Sequence, residues 1–121
     1  MRLPRVLLLL AAIQVLAQQA PPRPVQSPEV MSDGRVTFRF RAPNAKEVLL
    51  SREGAPRAPM QKDEEGVWSV TVGPLEPDFY GYGFVADSVG LLDPSNPRIK
   101  PNLLGLQNVV HVPGPDRKSV V

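Results

Sequence analysis

Arg35-Val36-Thr37-Phe38-Arg39-Phe40-Arg41 is the stretch that decides the fold of this chain. Its even-numbered positions are apolar, and its odd-numbered positions are polar or charged. A period of two places alternate side chains on opposite faces, so the stretch predicts a β-strand with one buried face. The Asp33-Gly34 pair just before it is a tight-turn signal, which predicts a hairpin with a short strand over Pro28–Met31.

Further strand signals follow, separated by turn residues. Val67–Val72 alternates in the same way, with Trp68 on its apolar face. In Phe79–Ala86 aromatic residues alternate with Gly81 and Gly83, so one face leaves room for another group to approach the backbone closely. The other predicted strands are Glu47–Arg52, Met60–Lys62 and Gln107–Val112, with turns or loops over Glu53–Pro59, Asp63–Gly66, Gly73–Asp78, Asp87–Gly90 and Asp93–Pro101.

These signals predict an all-β fold, an immunoglobulin-like β-sandwich of about seven short strands. No segment after Ala17 keeps a helical period, and the 15 prolines and 9 glycines punctuate the apolar runs. Cysteine is absent, so packing alone must hold the two sheets together. The alternating positions predict a core of Val36, Phe38, Phe40, Trp68, Val70, Val72, Tyr82 and Phe84.

The first 17 residues have the order of a secretory signal peptide. Arg2 and Arg5 precede the apolar run Val6–Ile13, and a short segment ends in Val15-x-Ala17. An apolar run of about eight residues is too short to span a membrane, which takes about twenty. A buried N-terminal helix is the alternative, but the two arginines and the proline-rich segment that follows fit it poorly. We therefore expect a signal-peptide helix over residues 1–17 and a soluble, exported (periplasmic or extracellular) product that begins at Gln18.

The remaining chain predicts one domain between two connecting segments. Residues 18–27 contain three prolines and predict an extended leader that contributes nothing to the core. The sandwich module occupies residues 28–113. Pro113-Gly114-Pro115 ends the last strand, and residues 114–121 resemble the start of a linker to a further domain.

Charge and composition exclude several classes of function. The formal net charge of +2 comes from Arg2 and Arg5, and without them 12 basic residues balance 12 acidic ones. A neutral mature chain gives no reason to expect binding to nucleic acid or to an anionic membrane. With no cysteine and one histidine, the sequence offers no thiolate or imidazole metal site and no acceptor for a lipid anchor, and it predicts no cofactor.

Catalytic candidates are few. No G-x-S-x-G elbow is present, and His111 is the single possible imidazole base. It lies between two valines in a predicted strand, where an exposed or satisfied strand histidine is the alternative. Asp63-Glu64-Glu65 is either a carboxylate cluster or a solvated turn, and Asx turns explain Asp78, Asp87 and Asp93. We assign no catalytic residue and no metal ligand.

Three aromatic residues are weak candidates for carbohydrate binding. Trp68, Tyr80 and Tyr82 could stack on the apolar faces of sugar rings, a role that needs no catalytic group. All three also fall on alternating strand positions, which makes the core the alternative. Tyr80 stands at the loop end of its strand, where exposure is most plausible.

Several segments together resemble the N-terminal module of exported bacterial esterases of the enterochelin esterase and feruloyl esterase group. They are Ser27–Val30, Asp33–Val48, Pro59-Met60 with Asp63, Gly66–Leu75, Tyr80–Asp87 and Leu92–Pro97. The resemblance implies an early-set sandwich akin to glycogen-binding and isoamylase N-terminal modules. It also implies that an α/β-hydrolase domain with a Ser-His-Asp triad follows the module in a full-length serine esterase. Glycogen-binding relatives carry an aromatic residue and an asparagine after the third strand, whereas Ser51–Ala58 has neither.

Two functional hypotheses remain open. The chain is a noncatalytic accessory module that packs beside an esterase catalytic domain in cis, or it is an independent carbohydrate-binding module that recognises a polysaccharide. A third and weaker hypothesis makes the chain itself an enzyme. An accessory module should leave an apolar patch open on one side of the sandwich, where the catalytic domain would dock.

Overall fold

Ten β-strands and no helix make up the part of the chain that the computed structural model describes, residues 21–102 and 105–115. The predicted signal peptide, its cleavage site, the beginning of the leader and the tail from residue 116 lie outside the described residues. The strands are β1 (Glu29–Val30), β2 (Val36–Arg41), β3 (Val48–Arg52), β4 (Ala58–Pro59), β5 (Gln61–Lys62), β6 (Val67–Val72), β7 (Asp78–Ala86), β8 (Val89–Leu91), β9 (Ile99–Asn102) and β10 (Gly105–Val112).

The strands form two antiparallel sheets that pack into a sandwich. The smaller sheet has the order β1-β2-β6-β5, and the larger has β4-β3-β7-β10-β9, with β8 added beside β7. Strand β7 is the centre of the larger sheet. Along one edge its second half pairs with β3, and along the other edge its first half pairs with β10 and its last three residues with β8. The predicted immunoglobulin-like β-sandwich is confirmed.

The core between the sheets contains the predicted alternating positions. Val36, Phe38, Trp68, Tyr82 and Phe84 are all buried, and Phe40, Val70 and Val72 pack against them while partly exposed. The structure adds the buried residues Val48, Leu50, Met60, Val110 and Val112 from strands whose pattern is less regular. The strict alternation of β2, β6 and β7 therefore predicted most of the large core side chains.

Three strands lie in segments that were predicted as turns or loops, so this part of the prediction was wrong. Strands β4, β8 and β9 are two to four residues long, and each pairs along only one edge. An edge strand needs partners on one side only, and it can therefore include Pro59 or Pro101. Between β7 and β8 the turn consists of Asp87 and Ser88, both with positive φ (47° and 70°).

The leader contributes to the core, contrary to the prediction. Ser27 is buried, and its hydroxyl donates to Asp93 Oδ2 at 2.6 Å while accepting from the backbone N–H of Arg39 at 3.0 Å. The side chain of Arg39 donates to the carbonyl of Gln26, and that of Arg41 donates to the carbonyl of Arg23. Arginines on the outer face of β2 thus hold the leader against the smaller sheet.

Candidate functional site

Trp68 belongs to the core. Its side chain on β6 is 7% exposed, and the indole Nε1–H donates to the carbonyl oxygen of Ala42 at 2.8 Å. The ammonium of Lys62 lies 5.7 Å from the ring centre. The core alternative is confirmed for this residue, because no face of the ring is open for a sugar.

Tyr82 is completely buried at the centre of β7. Its hydroxyl donates to Asp93 Oδ2 at 2.7 Å and accepts from Asn96 Nδ2 at 3.0 Å. Its ring contacts that of Phe38, with centroids 4.6 Å apart. Burial raises the pKa of the Tyr82 phenol, so the group stays a neutral hydrogen-bond donor. As with Trp68, the ring offers no surface to a ligand.

Tyr80 is half-buried, near the start of β7. Its hydroxyl donates to the carbonyl oxygen of Glu76 at 2.7 Å, and the guanidinium of Arg52 lies 5.6 Å from the ring centre. The hydroxyl is thus hydrogen-bonded within the chain, and a cation lies near the ring. Of the three aromatic candidates, it is the one that solvent reaches.

Asp93 anchors a buried hydrogen-bond network that the sequence analysis reduced to a turn. The Asx turn is present, since Asp93 Oδ1 accepts from the backbone N–H of Ser95 at 2.9 Å. The other oxygen, Oδ2, accepts from the hydroxyl groups of Ser27 and Tyr82. The side chain of Asn108 accepts from the backbone N–H of Asp93 and donates to its carbonyl oxygen. A buried carboxylate costs free energy unless it is hydrogen-bonded, and here both oxygens are satisfied. The network is a structural clamp between the leader, β7 and β10.

Among the exposed acidic groups, Asp63 serves a turn, whereas Asp78 and Asp87 do not form the predicted Asx turns. Asp63 Oδ1 accepts from the backbone N–H groups of Glu65 and Val67, so the solvated-turn alternative is confirmed for the Asp63-Glu64-Glu65 segment. Asp87 accepts from the backbone N–H groups of residues 46 and 47, and Asp78 from that of residue 79. Within the described ranges, no three His, Cys, Asp or Glu side chains are grouped as a metal would require.

His111 lies on the outer face of the larger sheet, the face turned away from the core. It is exposed, and its ring stacks on that of Phe79 with centroids 4.4 Å apart and planes 17° from parallel. The two residues are direct partners in the β7–β10 register. The strand-histidine alternative is confirmed, because the imidazole faces an apolar ring and not a nucleophile. Phe79 is 60% exposed, which makes it the exposed aromatic residue that the sequence analysis missed.

A polar cluster stands on the same outer face beyond Phe79. Glu53 Oε1 accepts from the backbone N–H of Gly81 at 2.6 Å and from Lys100 Nζ at 2.7 Å. Both hydrogen bonds lower the pKa of Glu53, that from Lys100 having the larger effect, and they keep the carboxylate ionised. The close approach predicted at Gly81 is thus made by the chain's own side chains, since a Cβ there would overlap Glu53 and Gln107.

A groove adjoins His111 between β10 and the segment that runs from Pro28 through β1. It has a volume of about 590 Å³ and is lined mainly by apolar side chains, including Pro28, Val30, Met31 and Val109, with Arg98 as its cation. Its size falls within the range of small-molecule sites in proteins.

A second exposed feature is an apolar margin along β8, β9 and the start of β10. We define the apolar margin as Val89, Leu91, Leu92, Ile99 and Leu106, which are 37–59% exposed. Register places Leu91 opposite the buried Phe84, and Ile99 opposite the buried Asn108. Residues paired in this way share a face, so both point to the core side of the larger sheet. They are nevertheless exposed, because the smaller sheet does not extend over this margin.

Comparison with known proteins shows a partial relative. Over 70 residues, the chain is 39% identical to an endo-1,4-beta-xylanase/feruloyl esterase of Xylanibacter ruminicola, covering 55% of this chain and 10% of that protein. The chain thus spans about a tenth of the curated relative it matches. The feruloyl esterase side of the predicted resemblance is supported, and the enterochelin esterase side stays a prediction. No family model matches the chain.

Solved structures with the same fold include glycoside hydrolases. One is the Group B Streptococcus pullulanase SAP in complex with maltotetraose, at a TM-score of 0.60 and 16% identity. The match covers 79% of this chain and 15% of the pullulanase chain. The pullulanase of Bacillus acidopullulyticus matches 83% with 13% of its own, at 0.55 and 23% identity. These likenesses show a shared β-sandwich fold. Among the described residues, no helix is long and apolar enough to cross a membrane.

Proposed function

We propose that this chain is the noncatalytic N-terminal accessory module of an exported esterase, whose α/β-hydrolase domain docks beside it. The partial relative supports this, since it is named a xylanase/feruloyl esterase and the matched segment is a tenth of its length. In this organisation residues 1–17 direct export, residues 18–27 form the leader, residues 28–113 form the module, and residues 114–121 begin the linker.

The apolar margin is the observation that carries the proposal. It contains five of the six large hydrophobic side chains that are exposed among the described residues. A cluster of exposed apolar side chains along one margin of a sheet points to an interaction site. The occupant we infer is the catalytic domain of the same polypeptide, since the matched segments make up only 10–15% of the hydrolases that this chain resembles. A domain docked there would cover the part of the larger sheet's core side that the smaller sheet leaves exposed.

The imidazole and the buried acid that sequence analysis considered for catalysis are engaged in other contacts. Esterases of the serine type need a hydroxyl, an imidazole and an orienting acid within hydrogen-bond reach of one another. His111 stacks on Phe79, and the buried acid Asp93 accepts from Ser27 and Tyr82 in the core. No pair described here has the arrangement of a nucleophile with its base.

The test compares the chain alone with a fusion to the feruloyl esterase domain of the Xylanibacter ruminicola relative. Docking stabilises the module by linkage, so its thermal midpoint should rise in the fusion. A Leu91→Ser/Leu106→Ser variant should lose most of that rise, while keeping the midpoint of the isolated chain.

The matched control is Phe79→Ser, which removes an equally exposed side chain from the opposite face and should preserve the rise. Equal midpoints with and without the fused domain, together with no cross-link between the two, would contradict the accessory role.

The alternative function, an independent carbohydrate-binding module, has one observation in its favour. The Phe79–His111 stack presents an exposed aromatic surface, whereas the rings of Trp68 and Tyr82 are buried. Carbohydrate binding would therefore depend on Phe79 and His111, and not on Trp68 or Tyr82.

A further inference from the structure

The outer face of the larger sheet carries a rigid aromatic surface. Phe79 is 60% exposed, the largest exposed fraction among the large hydrophobic residues described. The ring of His111 stacks on it at 4.4 Å from the paired position on β10. Because this contact already restrains the ring, a ligand that stacks on Phe79 would lose less side-chain entropy on binding.

Polar side chains of the chain itself cover the strand surface next to Phe79. Gly81 follows two residues later on the same face, about 7 Å along the strand, and the side chains of Glu53 and Gln107 lie over it. Its partner across the sheet is Val109, which is half-buried and apolar. A ligand that rests on Phe79 therefore reaches polar side chains at the next position on the same face.

The polar surface over Gly81 is held in place by hydrogen bonds. The carboxylate of Glu53 is held by the N–H of Gly81 and by the ammonium of Lys100, and these two side chains are still 44% and 38% exposed. The ion pair thus offers both an acceptor and a donor to solvent at a defined place. Polar groups of this kind fix the orientation of a ligand whose apolar face rests on an aromatic ring.

We propose that Phe79, His111 and the Glu53–Lys100 pair form a binding site for a neutral polysaccharide. A sugar ring has an apolar C–H face and a rim of hydroxyl groups, which match the aromatic surface and the ion pair in turn. An anionic ligand would meet the carboxylate of Glu53, and a purely aromatic ligand would not use the ion pair. The groove of about 590 Å³ beside His111 provides room for the ligand to extend past the stacked rings.

This site is separate from the apolar margin. Phe79 and His111 lie on the outer face of the larger sheet, whereas the strand residues of the margin lie on its core side. The proposal therefore does not depend on the docking of a catalytic domain, and each can fail without the other.

The experiment is affinity electrophoresis of the 121-residue chain in gels containing soluble arabinoxylan, mixed-linkage β-glucan or soluble starch. We expect retardation by at least one of the three. Phe79→Ala should weaken that binding about tenfold, as the loss of a central aromatic contact ordinarily does. Phe79→Tyr should retain it, because the stacking surface is preserved.

Leu106→Ala is the matched control, because Leu106 is 59% exposed on the apolar margin and its loss should leave binding unchanged. Thermal melts of each variant establish that it is folded. The proposal is overturned if the unaltered chain is retarded by none of the three polysaccharides, or if folded Phe79→Ala binds as well as the unaltered chain.

Discussion

Aromatic residues in this chain have different fates that depend on which face of a strand they occupy. Trp68 and Tyr82 face the core, and each satisfies its polar atom within the chain, through Ala42 and Asp93 respectively. Phe79 precedes Tyr80 on β7 and therefore points the other way, into solvent. A shift of one position along a strand thus decides between a packing role and a surface role.

Replacing Trp68 with alanine should lower the free energy of unfolding by about 3–5 kcal/mol, because the substitution leaves a large cavity and removes the indole hydrogen bond. Small domains have roughly 5–15 kcal/mol in total, so the variant should be partly unfolded at room temperature. Urea titration followed by circular dichroism measures the change. The control is Phe79→Ala, an exposed position where we expect a change within about 0.5 kcal/mol. Equal losses for the two variants would contradict the core assignment.

At the scale of elements, β7 organises the larger sheet because it pairs along both edges. It pairs with β10 over its first half and with β3 over its second half, and the Asp87–Ser88 turn folds β8 back along it. Both turn residues have positive φ, as in the two-residue hairpin turns whose backbone twist matches the right-handed twist of the flanking strands. Asp87 offsets part of the strain, since its carboxylate accepts from the backbone N–H groups of Lys46 and Glu47. Ser88 has no comparable compensation among the contacts described.

Ser88→Gly should therefore stabilise the chain. Glycine adopts the left-handed region without the steric penalty of a Cβ, and we expect a gain of about 0.5–1 kcal/mol after the larger entropy loss of glycine on folding. The measurement is the urea midpoint at an unchanged dependence on denaturant. Asp87→Gly is the informative comparison, because it relieves the same strain but deletes the hydrogen bonds to Lys46 and Glu47, just before β3, and it should destabilise. If Ser88→Gly instead destabilises, the turn assignment is wrong.

At the scale of the whole molecule, the two sheets differ in size, and the difference creates the surfaces on which both proposals rest. The smaller sheet has four strands, two of which are only two residues long, and it does not cover the core side of β8 and β9. The larger sheet has six strands, and part of its outer face is free. One molecule therefore has an apolar margin suited to another domain and, on the opposite face, an aromatic and polar surface suited to a glycan.

Export is the whole-molecule prediction that follows from the first 17 residues. We expect cleavage after Ala17, because a short apolar run with preceding arginines and a small residue at the end is the pattern of a cleaved signal peptide. N-terminal sequencing of the protein secreted from a bacterial host should begin at Gln18. Replacing Ala17 with a bulky residue should leave the signal peptide uncleaved. A full-length product that starts at Met1 and stays in the cytoplasm would contradict the prediction.

The sequence by itself determined the fold class and most of the core, because alternation in β2, β6 and β7 assigns each side chain to a face without knowledge of the partner strand. It could not predict the edge strands β4, β8 and β9, because such short segments, two of which contain proline, acquire strand geometry only by pairing with a longer neighbour. Nor could it show that Ser27, Tyr82, Asp93, Asn96 and Asn108 meet in one buried network, since the hydrogen bonds among them join residues up to 66 positions apart. The candidate surfaces likewise depended on tertiary structure. Whether Phe79 or Leu106 is exposed is decided by how far the opposite sheet extends, which is a property of the assembled sandwich and not of any local pattern.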